Sequence, residues 1–219
     1  MAVTTLVKER PILMSGPMVK AILDGRKTQT RRIVKKTFPS LSSSTGYSIR
    51  LNRNRSIETD ERALPFCPYG QPGDRLWVRE TFLPCIRTGH EGRIPIGEAT
   101  YVCFRDGSQK FRKNGNYYQE PPHNGSLNWP SCAVWRPSIH MPRWASRITL
   151  EITDVRVEHL QDISVEDVQA EGCTGSPFGP IGDRILFPTL WDQIHSEGSW
   201  AANPWVWCIS FKRLESTKN

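Results

Sequence analysis

Apolar positions along this chain fall into short groups whose spacing changes from one to the next. "PILM" at 11 to 14 predicts a short strand, and a helix follows from Gly16 to about Asp24, where Met14, Met18 and Ile22, or Val19 and Leu23, recur at helical spacing. Ser15 is placed to cap this helix, Pro17 suits its first turn and Gly25 stops it. "QPGDRLWVRETF", residues 71 to 82, is a Pro-Gly turn feeding a strand. Period-two alternation puts Leu76, Val78 and Phe82 on one face, with Glu80 turned inward beside them, and Arg75, Trp77 and Arg79 on the other.

In "RITLEITDVRVEHL", residues 147 to 160, the alternation Ile148, Leu150, Ile152 changes phase to Val155 and Val157, which predicts a bulge near Thr153 and Asp154. "ISVEDVQAEG", residues 163 to 172, is a compact helix: Ser164 caps it, Asp167 completes an approximate capping box, Ile163 and Val168 fit a hydrophobic staple and Gly172 ends it. "PWVWCISFKRL", residues 204 to 214, is apolar on both faces and so reads as a central or barrel-closing strand.

Two stretches break this regularity. Residues 38 to 62 are rich in Ser, Asn and Arg, and residues 105 to 130 in Gly, Asn and Pro; both read as loop insertions in a single domain spanning 1 to 219. With 37% apolar residues and eight tryptophans the chain has the bulk to fill a core, which argues against global disorder. No apolar run reaches a membrane span and the N-terminal apolar patch is interrupted by Ser15, Gly16 and Pro17, so a cytoplasmic protein with no membrane partner is expected. The six cysteines form no CxxC pair. Pro84-Cys85 matches half of a zinc-deaminase signature, but Thr88 stands where the second cysteine belongs. Free thiols, no metal and no cofactor are the expectation.

Charge changes the picture. Lys and Arg number 29 against 22 Asp and Glu, a formal charge of +7, which raises the prospect of a polyanionic partner without choosing among RNA, DNA and nucleotide. The cations concentrate in "ILDGRKTQTRRIVKK", residues 22 to 36, which carries Arg26, Lys27, Arg31, Arg32, Lys35 and Lys36 in what reads as a basic loop. Such a loop grips a phosphate backbone, holds a small substrate or simply stays hydrated. The face of Arg75, Trp77 and Arg79 interleaves cations with a ring and suits a stacked base; the plainer alternative is a tryptophan covered by arginine stems. Glu171 sits in the last helical turn, where the helix dipole mildly disfavours a carboxylate. His140 and His159 are the histidines a proton-transfer mechanism would draw on, although His140 equally suits a turn.

Taken together these residues resemble a known family. "GRKTQTRR" is similar to the GxKxx[E/T]xR signature of ASCH domains, through Gly25, Lys27, Thr30 and Arg32, and "GDRLWVRETF" and "WVWCISFKRL" are similar to the following and closing strands. "SIHMPRWASRITLEITDVRVEHLQDISVEDVQAEG" resembles the phage and prophage version of the domain. The resemblance implies an α+β fold, a PUA-like mostly antiparallel β-barrel with flanking short helices, and a cleft beside the GxK loop suited to RNA or nucleosides. Many members have Glu at the position of Thr30. A bacterial branch with Thr there removes the acetyl group from N4-acetylcytidine through a Lys, Thr, Glu set, which implies Lys27, Thr30 and Glu171 as the catalytic residues here and Arg26, Arg31 and Arg32 as neighbours of the substrate.

That chemistry is self-consistent: cation crowding would favour neutral Lys27 as base, Thr30 would attack the acyl carbon, nearby N–H groups or an arginine would steady the oxyanion, and Glu171 would orient Lys27 or deliver a proton. The plainer alternative is that Lys27 stays charged and simply pairs with Glu171 across the cleft. A non-catalytic RNA-binding module and a ribonuclease using the same cations are the alternatives. The oligomeric state is not legible.

Overall fold

The computed structural model describes residues 6–34, 66–85, 101–111, 134–174 and 179–215. Of the expected insertions, 38–62 and 112–130 lie outside these residues, as do Lys35 and Lys36.

The elements in chain order are β1 (Glu9–Leu13), α1 (Gly16–Leu23), β2 (Gln29–Ile33), β3 (Arg75–Arg79), β4 (Phe82–Cys85), β5 (Tyr101–Phe104), β6 (Gln109–Phe111), β7 (Thr149–His159), α2 (Val165–Ala170), α3 (Gly179–His195) and β8 (Trp205–Leu214). They make a mixed α+β structure of two sheets, one ordered β1-β3-β7-β8-β2 and a smaller one ordered β4-β5-β6. In the larger sheet only the β1–β3 pairing is parallel. Among the described residues β1 and β2 remain unpaired edges, so the larger sheet is open rather than a closed barrel. It is nevertheless curled enough for Arg32 on β2 to donate from Nη2 to the Leu13 carbonyl on β1, 2.8 Å away.

β8 is the spine of this sheet. Its alternation sends Trp207, Ile209 and Phe211 into one core with Ile12, Leu76, Leu150 and Ile22 of α1, while Val206 and Cys208 face a second core with Val168 of α2 and Phe187 and Trp191 of α3. A strand apolar on both faces is central for this reason: each face covers a different layer of helices. The phase change in β7 is a register shift between Ile152 and Asp154, where the bulge is expected.

The cation-rich stretch after α1 is a correction. Residues 29–33 are not loop but the edge strand β2, paired antiparallel with β8 from Gln29↔Ser210 to Ile33↔Val206. Edge strands are blunted by charge, and Arg31 and Arg32 put two charged residues on this edge. A second correction concerns β3, which stops at Arg79; Phe82 opens β4 in the other sheet and packs with Val102, Phe104 and Met141. Inward-turned Glu80 is held by Arg147, whose Nη2 lies 2.7 Å from Glu80 Oε2. Ser15 precedes α1 without a side-chain cap bond, whereas Ser164 does cap α2, accepting from the Asp167 N–H. The helix α3, with Pro188 inside it, has no counterpart among the elements read from the pattern.

Candidate functional site

α1 ends at Gly25, whose φ of +75° turns the chain sharply enough for both Arg26 and Lys27 to donate backbone N–H groups to the Ala21 carbonyl. Thr28 N–H then bonds the Ala170 carbonyl at 2.8 Å, tying the start of β2 to the end of α2. At that junction Gly172 has φ +83°, and a Cβ there would lie 3.0 Å from the Cβ atoms of both Ala21 and Lys27. Only glycine lets the two helix ends approach so closely. Lys27 and Glu171 consequently pair as an isolated antiparallel bridge. Lys27 Nζ, fully buried, donates to the Glu171 carbonyl at 2.9 Å and to Glu171 Oε2 at 2.5 Å. The side-chain partner of Lys27 is thus Glu171, the pairing that was the alternative to cation crowding by Arg26, Arg31 and Arg32.

β2 then distributes its side chains to two faces. Gln29 and Arg31 stand opposite Ser210 and Cys208, toward α2; Thr30 and Arg32 stand opposite Ile209 and Trp207, toward α1. Arg31 is enclosed by carboxylates, with Nη2 at 2.6 Å from Glu158 and 2.7 Å from Asp167, and Nη1 at 3.5 Å from Glu171. Burial works against its charge, and Glu171 and Glu158 outweigh that, so its pKa rises. Arg31 thus holds β2 to α2 and β7 through both Nη atoms, while its buried Nε has no partner among the described residues. Thr30 is completely buried, and its Oγ1 accepts from Arg32 Nη1 at 2.9 Å. Arg32 also donates to the Arg31 and Leu13 carbonyls, and burial pulls its pKa down.

Because β2 is an edge, groups from both of its faces meet a cavity of about 280 Å³ bounded by α1, by the Glu171–Cys173 segment after α2 and by α3. Arg31, Arg32, Glu171 and His195 are its charged or titratable lining groups apart from Cys173; Met18, Phe187, Leu190, Trp191 and Ile194 supply apolar walls. Lys27 and Thr30 are behind this lining rather than in it. The cavity thus lies between α1, the Glu171–Cys173 segment that follows α2, and α3, which closes its far side.

His195 was not among the residues singled out by the pattern. It follows Trp191 by one helical turn, a spacing at which aromatic side chains stack, and this was its only signal. The rings lie 3.9 Å apart at 20°.

The remaining predicted residues are elsewhere. Arg26 is half exposed and bonds Asp24, Thr174 and the Gly172 carbonyl, bracing the rim of the helix junction. Arg75 pairs with Glu9 at 3.9 Å, and Arg79 bonds the Ile139 carbonyl. Trp77 is buried, with the guanidinium of Arg79 4.6 Å and that of Arg143 5.8 Å from its ring centre. This is the covered tryptophan, not an open stacking platform. His140 is exposed beyond β3, and His159 lies against Trp205, ring centres 3.7 Å apart, with Nδ1 at the Asn203 carbonyl. Neither lines the cavity. Among the described residues no group of three or more His, Cys, Asp or Glu side chains is placed to hold a metal ion, and no helix is long and apolar enough to cross a membrane.

Comparison with protein-family models, curated proteins and solved structures finds no match to this chain.

Proposed function

We propose that this chain is an ASCH-type, PUA-like domain whose α1/α2/α3 cavity takes a single modified nucleoside, and that Lys27, Thr30 and Glu171 hydrolyse an N4-acyl group from a cytidine bound there. The observation that carries the reading is the buried Lys27–Glu171 contact, which puts the implied base and carboxylate 2.5 Å apart at the wall of a cavity. A volume of about 280 Å³ lies at the small end of the roughly 300–1,000 Å³ usual for ligand pockets and suits one nucleoside better than a strand.

In this reading Thr30 Oγ1 attacks the acyl carbon and its proton passes to the Lys27–Glu171 pair. Arg32, already donating to Oγ1, favours the negative charge that develops on that oxygen. Collapse of the tetrahedral intermediate breaks the C–N4 bond, the proton goes to the leaving amine, and a threonyl ester remains. Water attacks the ester carbon, releasing the carboxylate and restoring Thr30. Proton transfer by a positioned pair of this kind contributes about 10²- to 10⁴-fold. For attack to occur, the ligand or a small shift of Arg32 must bring Thr30 into the cavity.

The test is incubation of N4-acetylcytidine with purified protein, with cytidine and acetate separated chromatographically. Equimolar release by the wild type and none by Thr30→Val supports the hydrolase. Binding without turnover by the wild type reduces the reading to a nucleoside-binding module.

A further inference from the structure

We infer that His195 is a specificity-determining residue of the cavity, accepting a hydrogen bond from an exocyclic N–H of the bound heterocycle beside Glu171. The inference rests on the nucleoside reading and adds to it a residue outside the Lys27, Thr30, Glu171 set.

His195 Nδ1 lies 3.2 Å from the Trp191 carbonyl. A carbonyl only accepts, so Nδ1 carries the hydrogen and the neutral ring keeps its lone pair on Nε2. Stacking on Trp191 and this bond to the preceding helical turn fix the ring as part of the cavity wall. The charged and titratable groups around it are Arg31 and Arg32 from β2, Glu171 at the end of α2 and Cys173 just beyond; α1 contributes Ser15, Pro17, Met18 and Ala21, none of which ionises. Burial pulls the His195 pKa below its ordinary value and Arg32 assists, against the opposing bond to the Trp191 carbonyl and the charge of Glu171, so the neutral, accepting ring prevails at neutral pH.

Glu171 Oε2 is engaged by Lys27, while Oε1 has only the long 3.5 Å contact to Arg31 and retains accepting capacity. The four N–H groups on the two Nη atoms of Arg32 are taken up by Thr30, the Arg31 and Leu13 carbonyls and Met14 Sδ. The Nη atoms of Arg31 are likewise held by Gln29, Glu158, Asp167 and Glu171, so that on the polar side two acceptors, Glu171 Oε1 and His195 Nε2, stand against one unpartnered donor, Arg31 Nε. Cytosine presents an N4 donor where uracil presents an O4 acceptor, and carboxylates accept from cytosine N4. The pair Glu171 Oε1 and His195 Nε2 thus selects cytosine-type rings over uracil: cytosine can donate one N4–H to each, and an N4-acylated ring donates its single N–H to His195.

Calorimetric titration with N4-acetylcytidine, cytidine and uridine tests this. Wild type should prefer the cytidines, and its affinity should hold at neutral pH and fall as pH is lowered below about 6.5, as His195 takes a second proton and stops accepting. His195→Phe, which keeps the stack, should lose about tenfold in affinity and most of the discrimination against uridine. His195→Gln, which restores an acceptor, should keep part of the preference and flatten the pH dependence. If wild type binds and both variants bind as it does with the same pH profile, His195 has no such role although the nucleoside reading stands. If wild type binds none of the three nucleosides, both fall together. Should the Phe variant fail to fold, the Gln variant decides through its pH profile.

Discussion

Lys27 and Glu171, 144 residues apart in the chain, meet through both backbone and side chain: they share an antiparallel bridge, and Lys27 Nζ donates to the carbonyl and carboxylate of the same partner. Breaking one side of such a buried pair strands the other charge. Lys27→Met and Glu171→Gln should each destabilise the fold by about 3–5 kcal/mol, and the double variant by clearly less than their sum. Urea unfolding of the three variants checks this; additive losses would mean that the contact contributes nothing specific.

Thr30→Val separates chemistry from packing. It leaves Arg32 Nη1 with one acceptor fewer in a buried site, a loss of about 1 kcal/mol in stability. Acetate release should disappear altogether, and Thr30→Ser should restore part of it. A Val variant that still turns over would remove Thr30 from the reaction.

The cage around Arg31 sets the response to acid. Burial raises the pKa of Glu158 and of Asp167, and the hydrogen bonds and charges of Arg31 and Arg156 more than reverse it, so both carboxylates titrate below their ordinary values. A depressed folded-state pKa contributes stability that is present above the unfolded value and lost as pH falls through the folded one. The urea midpoint should therefore hold at neutral pH and drop below about pH 4. Asp167→Asn should lower the neutral plateau and make the acid decline shallower. An unchanged slope in that variant would show the cage to be inert.

Two glycines with left-handed backbone should respond differently to alanine. At Gly25 nothing lies within 4 Å of the added Cβ, so only the backbone penalty of about 1–2 kcal/mol applies. At Gly172 the same methyl meets Ala21 and Lys27 at 3.0 Å. Gly172→Ala should cost more in thermal stability and should also impair acetyl release by moving Lys27, whereas Gly25→Ala should spare the reaction. Equal effects at the two positions would mean that the helix junction tolerates widening.

Period and punctuation were enough to read α1, α2, β7 with its bulge, and β8, because each is decided locally: an apolar set at one spacing, a cap or a glycine stop. The lysine after α1 and the glutamate at the end of α2 were also visible as partners, though not that their backbones meet, since the bridge depends on Gly172 admitting a close approach across the fold. The arginines of 26 to 32 looked alike in sequence. Tertiary structure divided them, because β2 pairs with β8 and sends successive side chains to opposite faces, one arginine into a carboxylate cage and the next against Thr30. For Trp77 alternation left both a stacking face and a covered ring open; Arg79 from the same strand and Arg143 from a distant turn decide for the covered ring. His195 entered the cavity only because α3 packs across α2, a contact between segments that no local pattern encodes.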